Sequence, residues 1–205
     1  MPDPIPEEVR SMLRQASEVT ASHQAFTCQV FGSEWDQFVE HWAPHIHHFL
    51  LQAMGPYGTE PLPTILPLEE GMHSAGATAS YNLTTGQIRL CTSMESKTGQ
   101  TLEKLTHEMV HGSLALFPSE DVFYDEGFVD YSTWVLAHAP IWGDLRDDMI
   151  EAAALNIEIR RDRAMLDQSD YDRKRWAGGL FASLSRGPHI IATLRQRKME
   201  GELYW

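Results

Sequence analysis

The sequence predicts an α+β fold, mostly helical, with a small sheet in its first half. Three observations carry that expectation. Apolar residues recur at helical spacing over most of the chain, one short stretch alternates as paired strands do, and the segment before it is broken by proline and glycine. With 42% hydrophobic residues in 205, there is enough apolar surface for a sizeable core.

Taken in order, residues 6–20 read as a helix behind a start that carries Pro2, Pro4 and Pro6. Residues 34–53 read as a second, because Trp35, Phe38, Trp42, Ile46 and Phe49 form one apolar stripe, which Pro44 kinks or restarts. Residues 55–67 hold Gly55, Pro56, Gly58, Pro61, Pro63 and Pro67 and read as an extended connector. It divides an N-terminal helical segment, 1–67, from a second part, 68–205, unless the whole chain forms one compact domain. Residues 77–81 and 87–91 read as a hairpin turning over 82–86, with Ile88 and Leu90 on one face and Arg89 and Cys91 on the other.

Leu102, Leu105, Met109, Leu114 and Phe117 then predict a helix that Pro118 stops. Phe128, Trp134 and Val135 suit another, reaching about His138. Residues 144–167 follow, with Leu145, Met149, Ala152, Ala153, Leu155, Ile159 and Leu166, and 173–185 and 188–198 give two more helices. Together these make a helical lobe beyond the sheet, and the cleft between them is the natural place for a site.

Within the predicted helix before Pro118 lies His107-Glu108-Met109-Val110-His111. Residues four apart on a helix share a face, roughly 5–6 Å apart at Cβ, so both imidazoles reach a single ion. Glu108 falls about 100° further round the helix, badly placed as a ligand but well placed as a general base toward a water on that ion. Two histidines and an intervening glutamate in this spacing point to zinc-assisted hydrolysis. Downstream, Asp125-Glu126-Gly127-Phe128-Val129-Asp130 puts Glu126 and Asp130 four apart on the following helix. Glu120 and Asp121 are rival ligands in the connector. A third histidine ligand in the metzincin spacing is excluded, because Leu114 and Phe117 stand where glycine and histidine would be needed.

These two segments resemble those of the gluzincin metallopeptidases, the thermolysin-like and M1-aminopeptidase-like group, over roughly residues 85–137. The resemblance implies a zincin-like fold with one zinc ion between sheet and helical lobe. It implies that Glu126 joins His107 and His111 as third ligand, with an open fourth position, and that Asp130 holds the second nitrogen of a ligand histidine. The activity implied is hydrolysis of a peptide bond. The oxyanion donor of these families comes from a downstream helix, for which Tyr171 and His189 are the candidates here. In such proteins the edge strand of the sheet before the motif helix binds the substrate backbone, and residues 87–93 are the expected counterpart. The connector is shorter than in familiar members, with 14 residues between His111 and Glu126.

Two other activities fit the same residues: hydrolysis of a small amide or ester, and zinc binding without catalysis. An aminopeptidase would need a carboxylate for the free amine, and Glu95 is the candidate. His41, His45, His47 and His48 form a second histidine group, which reads as the polar face of the 34–53 helix rather than a second metal site; His73 reads as a loop residue. A net charge of −13 disfavours nucleic acid as a partner. The basic clusters Arg160, Arg161, Arg163 and Arg173, Lys174, Arg175 read as solvated helix faces, with contact to a substrate carboxylate as the alternative. The N-terminus lacks the basic and apolar regions of a leader, and no apolar run nears the ~20 residues of a membrane span. Two separated cysteines, Cys28 and Cys91, fit a reducing cytoplasm.

Overall fold

The computed structural model describes residues 5–22, 34–54, 62–68, 79–82, 84–91, 98–114, 122–166 and 170–184. The helices are α1 (Glu7–Ser22), α2 (Glu34–Ala53), α3 (Thr98–Leu114), α4 (Val122–Ala137), α5 (Arg146–Met165) and α6 (Asp170–Leu184), with a short 3-10 helix at Pro140–Leu145. The strands are β1 (Thr64–Leu68), β2 (Ala79–Asn82) and β3 (Gln87–Cys91). The architecture is α+β and predominantly helical, as the periodicity predicts. Among the described residues no helix is long and apolar enough to cross a membrane.

The sheet order is β1-β3-β2, with β3 parallel to β1 and antiparallel to β2. The β2–β3 hairpin forms as expected. The Asn82 side-chain oxygen accepts the N–H groups of Thr84 and Thr85, and Gly86 closes the turn at φ 65°, a conformation that favours glycine. Ile88 and Leu90 are fully buried whereas Arg89 is exposed, so the alternation along β3 also holds.

Two expectations about the sheet need correction. The end of the supposed connector is a strand, β1, in spite of Pro67. A proline is tolerated there because β1 is an edge strand, where a missing N–H can fall on the unpaired side. As a result β3 is central, paired on both sides, and the part of residues 87–93 that is described is no edge for strand addition. That open position passes to β2, which lies at the edge of the sheet.

Pro44 does not restart α2, which runs unbroken from Glu34 to Ala53. Ile46 and Phe49 from this helix are fully buried, together with Leu13 of α1, Leu102 and Leu105 of α3, Leu136 of α4 and Met149 of α5. One apolar cluster therefore joins elements from both halves of the chain. Helix α4 is its axis, since every residue from Gly127 to Ala137 is buried. On α5 the core stripe is Met149, Ile150, Ala153, Ala154 and Ile157. Leu155, Ile159 and Leu166, read from sequence as part of the pattern, are 53%, 37% and 68% exposed because they fall outside that stripe.

Candidate metal centre

Helix α3 turns Leu102, Leu105 and Val110 into the core and presents Glu103, His107 and His111, each one turn apart, toward α4 and α5. Helix α4 faces it with Glu126 and Asp130. The ligand atoms of His107, His111 and Glu126 lie within 4.8 Å of one another. His111 Nε2 is 3.2 Å from Glu126 Oε1, and His107 Nε2 is 3.7 Å from Glu126 Oε2. Both imidazoles thus turn the same nitrogen to one carboxylate. The other nitrogen of His107, Nδ1, lies 3.6 Å from Asp130 Oδ1. Two imidazoles and a carboxylate, with a second carboxylate behind one ring, form a donor set that suits zinc once His107 gives up its proton.

The centre is mostly buried but opens at Glu126, whose side chain is 22% exposed against 11% for His107 and 14% for His111. Water can therefore reach the ligand side of the group. Glu108 is buried beside it, and its charge acts on His107.

The electrostatics follow from this crowding. Burial pulls the His107 imidazole down, but the carboxylates of Glu126, Glu108 and Asp130 outweigh it and its pKa is pushed up to about 9. Burial likewise pushes Glu126 up, yet the two histidines and Arg175 hold its carboxyl far below the usual carboxylate range. One turn before His107, the Glu103 carboxyl is raised by burial and accepts a hydrogen bond from Asn156 Nδ2 of α5 at 3.2 Å.

Arg175 completes the group, and the sequence reading placed it wrongly. Its neighbours Arg173 and Lys174 are solvated and pair with Asp170, as a helix face should. Arg175, by contrast, is only 7% exposed and turned inward. Its Nε and one terminal nitrogen donate to the two oxygens of Asp130 at 2.5 and 2.6 Å, and the other terminal nitrogen is 2.8 Å from Glu126 Oε2. That last nitrogen also donates to the hydroxyl of Tyr171.

The reason α6 comes so close lies in two glycines. A Cβ on Gly127 would run into the Arg175 carbonyl and lie 2.5 Å from the Gly179 nitrogen, so α4 and α6 cross with their backbones in contact. The glycine after Glu126 is therefore the point where α6 docks and delivers Arg175. Similarly, a Cβ on Gly112 would meet the Tyr81 ring at 3.3 Å, which places edge strand β2 against α3 next to His111.

Of the residues expected at the site, His107, Glu108, His111, Glu126 and Asp130 are brought together, and Tyr171 reaches its margin through Arg175. His189, Glu95, Glu120, Asp121 and His73 lie outside the described residues, as do the predicted helix 188–198 and Cys28. His41 and His45 stack with ring centroids 4.9 Å apart on α2, where His45 Nδ1 bonds the His41 carbonyl oxygen. No protein-family model, curated protein or solved structure matches this chain.

Proposed function

We propose that this chain is a zinc-dependent hydrolase of the gluzincin type, with a zincin-like fold, that cleaves a peptide bond. The observation that carries the reading is the convergence of His107, His111 and Glu126, with Asp130 behind His107 and Glu108 alongside.

Zinc, when bound, supplies a Lewis acid that acidifies water and polarises a carbonyl. His107, His111 and Glu126 would hold it, leaving one side open to solvent. Asp130, 3.6 Å from His107 Nδ1, would orient that ring through its charge and so leave Nε2 as the ligand nitrogen. Glu108 takes the proton from the attacking water and delivers it to the leaving nitrogen. Tyr171, held by Arg175 at the edge of the centre, is the oxyanion donor we favour, with His189 as the other candidate. Edge strand β2, beside His111, offers backbone groups to an extended substrate.

A second reading, hydrolysis of a compact amide or ester, is favoured by the pairing of β3 on both sides, which leaves as templates only the short edge strands β1, carrying Pro67, and β2, four residues long. A peptide-library digest separates the two, because only the first gives cleavage within extended peptides. The central test is Glu108→Gln. Purified wild type should carry one zinc per chain, lost in His107→Ala and Glu126→Ala. Glu108→Gln should keep the zinc and lose at least 100-fold in kcat, as expected for removing a general base. Unchanged turnover in Glu108→Gln would sink the mechanism.

A further inference from the structure

Arg175 does more than neutralise charge. Its guanidinium is a rigid planar fork, and the fork is fully committed: two nitrogens grip Asp130 and the third meets Glu126 Oε2 and Tyr171. Glu126 has two oxygens that a metal could take. Oε2 is held by Arg175 at 2.8 Å and lies farther off, at 3.7 Å, from His107 Nε2, while Oε1 is turned to His111 Nε2 at 3.2 Å. Through Asp130 the same guanidinium also fixes the carboxylate that faces His107 Nδ1 at 3.6 Å. One buried cation from α6 thus sets the orientation of a ligand carboxylate and, at one remove, of a ligand imidazole.

We infer that Arg175 is a positioning residue that restricts Glu126 to binding the metal through one oxygen, so that a coordination position stays open for water. The inference rests on the proposed zinc site and adds to it the residue that sets its coordination number. Charge alone does not account for the arrangement: Arg173 and Lys174 supply cations one and two residues away yet face solvent. A lysine at 175 would keep the charge but present a single point donor, unable to hold Asp130 and Glu126 together.

The test uses the full chain stripped of metal and titrated with zinc against a chromophoric chelator, and with cobalt for its visible spectrum. Wild type, Arg175→Lys, Arg175→Met and Arg173→Ala are compared, with circular dichroism as the check on folding. We expect both Arg175 variants to bind zinc about 10- to 100-fold more weakly, the usual cost of losing a group that orients a ligand. Their cobalt bands should weaken as a released Glu126 binds through both oxygens and the coordination number rises. Arg173→Ala should match wild type in both respects. Wild-type affinity and an unaltered cobalt spectrum in Arg175→Lys would overturn the inference while leaving the zinc site standing. An equal loss in Arg173→Ala would also overturn it, since general charge would then be the cause. A wild type that takes up no zinc would remove the site and the inference together. If both Arg175 variants fail to fold, the zinc-loaded wild-type structure decides: Glu126 Oε2 on Arg175 supports the inference, and both Glu126 oxygens on the metal overturn it.

Discussion

His107 holds a proton at neutral pH in the metal-free protein, because the surrounding carboxylates have pushed its pKa up to about 9. Zinc binding as proposed requires that proton to leave. Apparent zinc affinity should therefore rise with pH up to about 9 and then level, and uptake at pH 7 should release the His107 proton. Calorimetry in buffers of different ionisation enthalpy measures the release, and an affinity independent of pH between 7 and 9 would contradict it. The same group makes metal-free stability depend on pH. Its pKa is raised above the ordinary 6.5, so its contribution is fully present below about 6.5 and is lost as pH rises through about 9. At this scale most of the centre is legible in the sequence, since the i, i+4 spacing on each helix makes His107 with His111, and Glu126 with Asp130, share faces. Arg175 is not legible, because it sits among cations that do face solvent. The available signal is Tyr171 one turn before it and Gly178-Gly179 one turn after, which mark the side of α6 that approaches a neighbour.

Among elements, the crossing of α4 and α6 is the most exacting contact near the centre. Gly127→Ala would force a methyl group into the Arg175 carbonyl, and backbone cannot yield as a side-chain tip can. The variant should lose about 1–3 kcal/mol or more, the cost of overpacking, and should weaken zinc binding as Arg175 is carried away from Glu126. Chemical denaturation and metal titration on the same sample check both effects. A variant with unchanged stability would mean that the helices separate at no cost. The helices as a class are readable because each has a core stripe; α4, buried all round from Gly127 to Ala137, has the weakest periodicity for that reason and is read from Phe128, Trp134 and Val135 alone. Strand β1 is hidden by Pro63 and Pro67, which read as breakers in a chain whose partner strand is unknown. Once β1 is missed, β3 is wrongly left at an edge, so a single local misreading moves the expected substrate strand.

In the molecule as a whole, the N-terminal helices and the helices that carry the candidate metal centre share one core. Trp142, in the 3-10 helix after α4, is fully buried and packs edge-on against Phe49 of α2 at 5.3 Å between ring centroids. Its indole N–H donates to the Leu136 carbonyl of α4 at 2.7 Å. Trp142→Ala should cost about 3–5 kcal/mol through the cavity it leaves. Thermal unfolding should remain a single transition with a lower midpoint, and two separated transitions would show that α1 and α2 are not coupled to the rest. Acidic groups outside this core occupy the first turns of α1, α2 and α5. There the acidic groups complement the positive ends of the helix dipoles. A last consequence comes from α4, enclosed by its neighbours from Gly127 to Ala137. With no exposed flank along which it could fray, its amide hydrogens should exchange with deuterated solvent only when the entire chain opens. Asp130 lies within that span and Glu126 immediately before it, so slow exchange there would mean that their spacing outlasts lesser fluctuations.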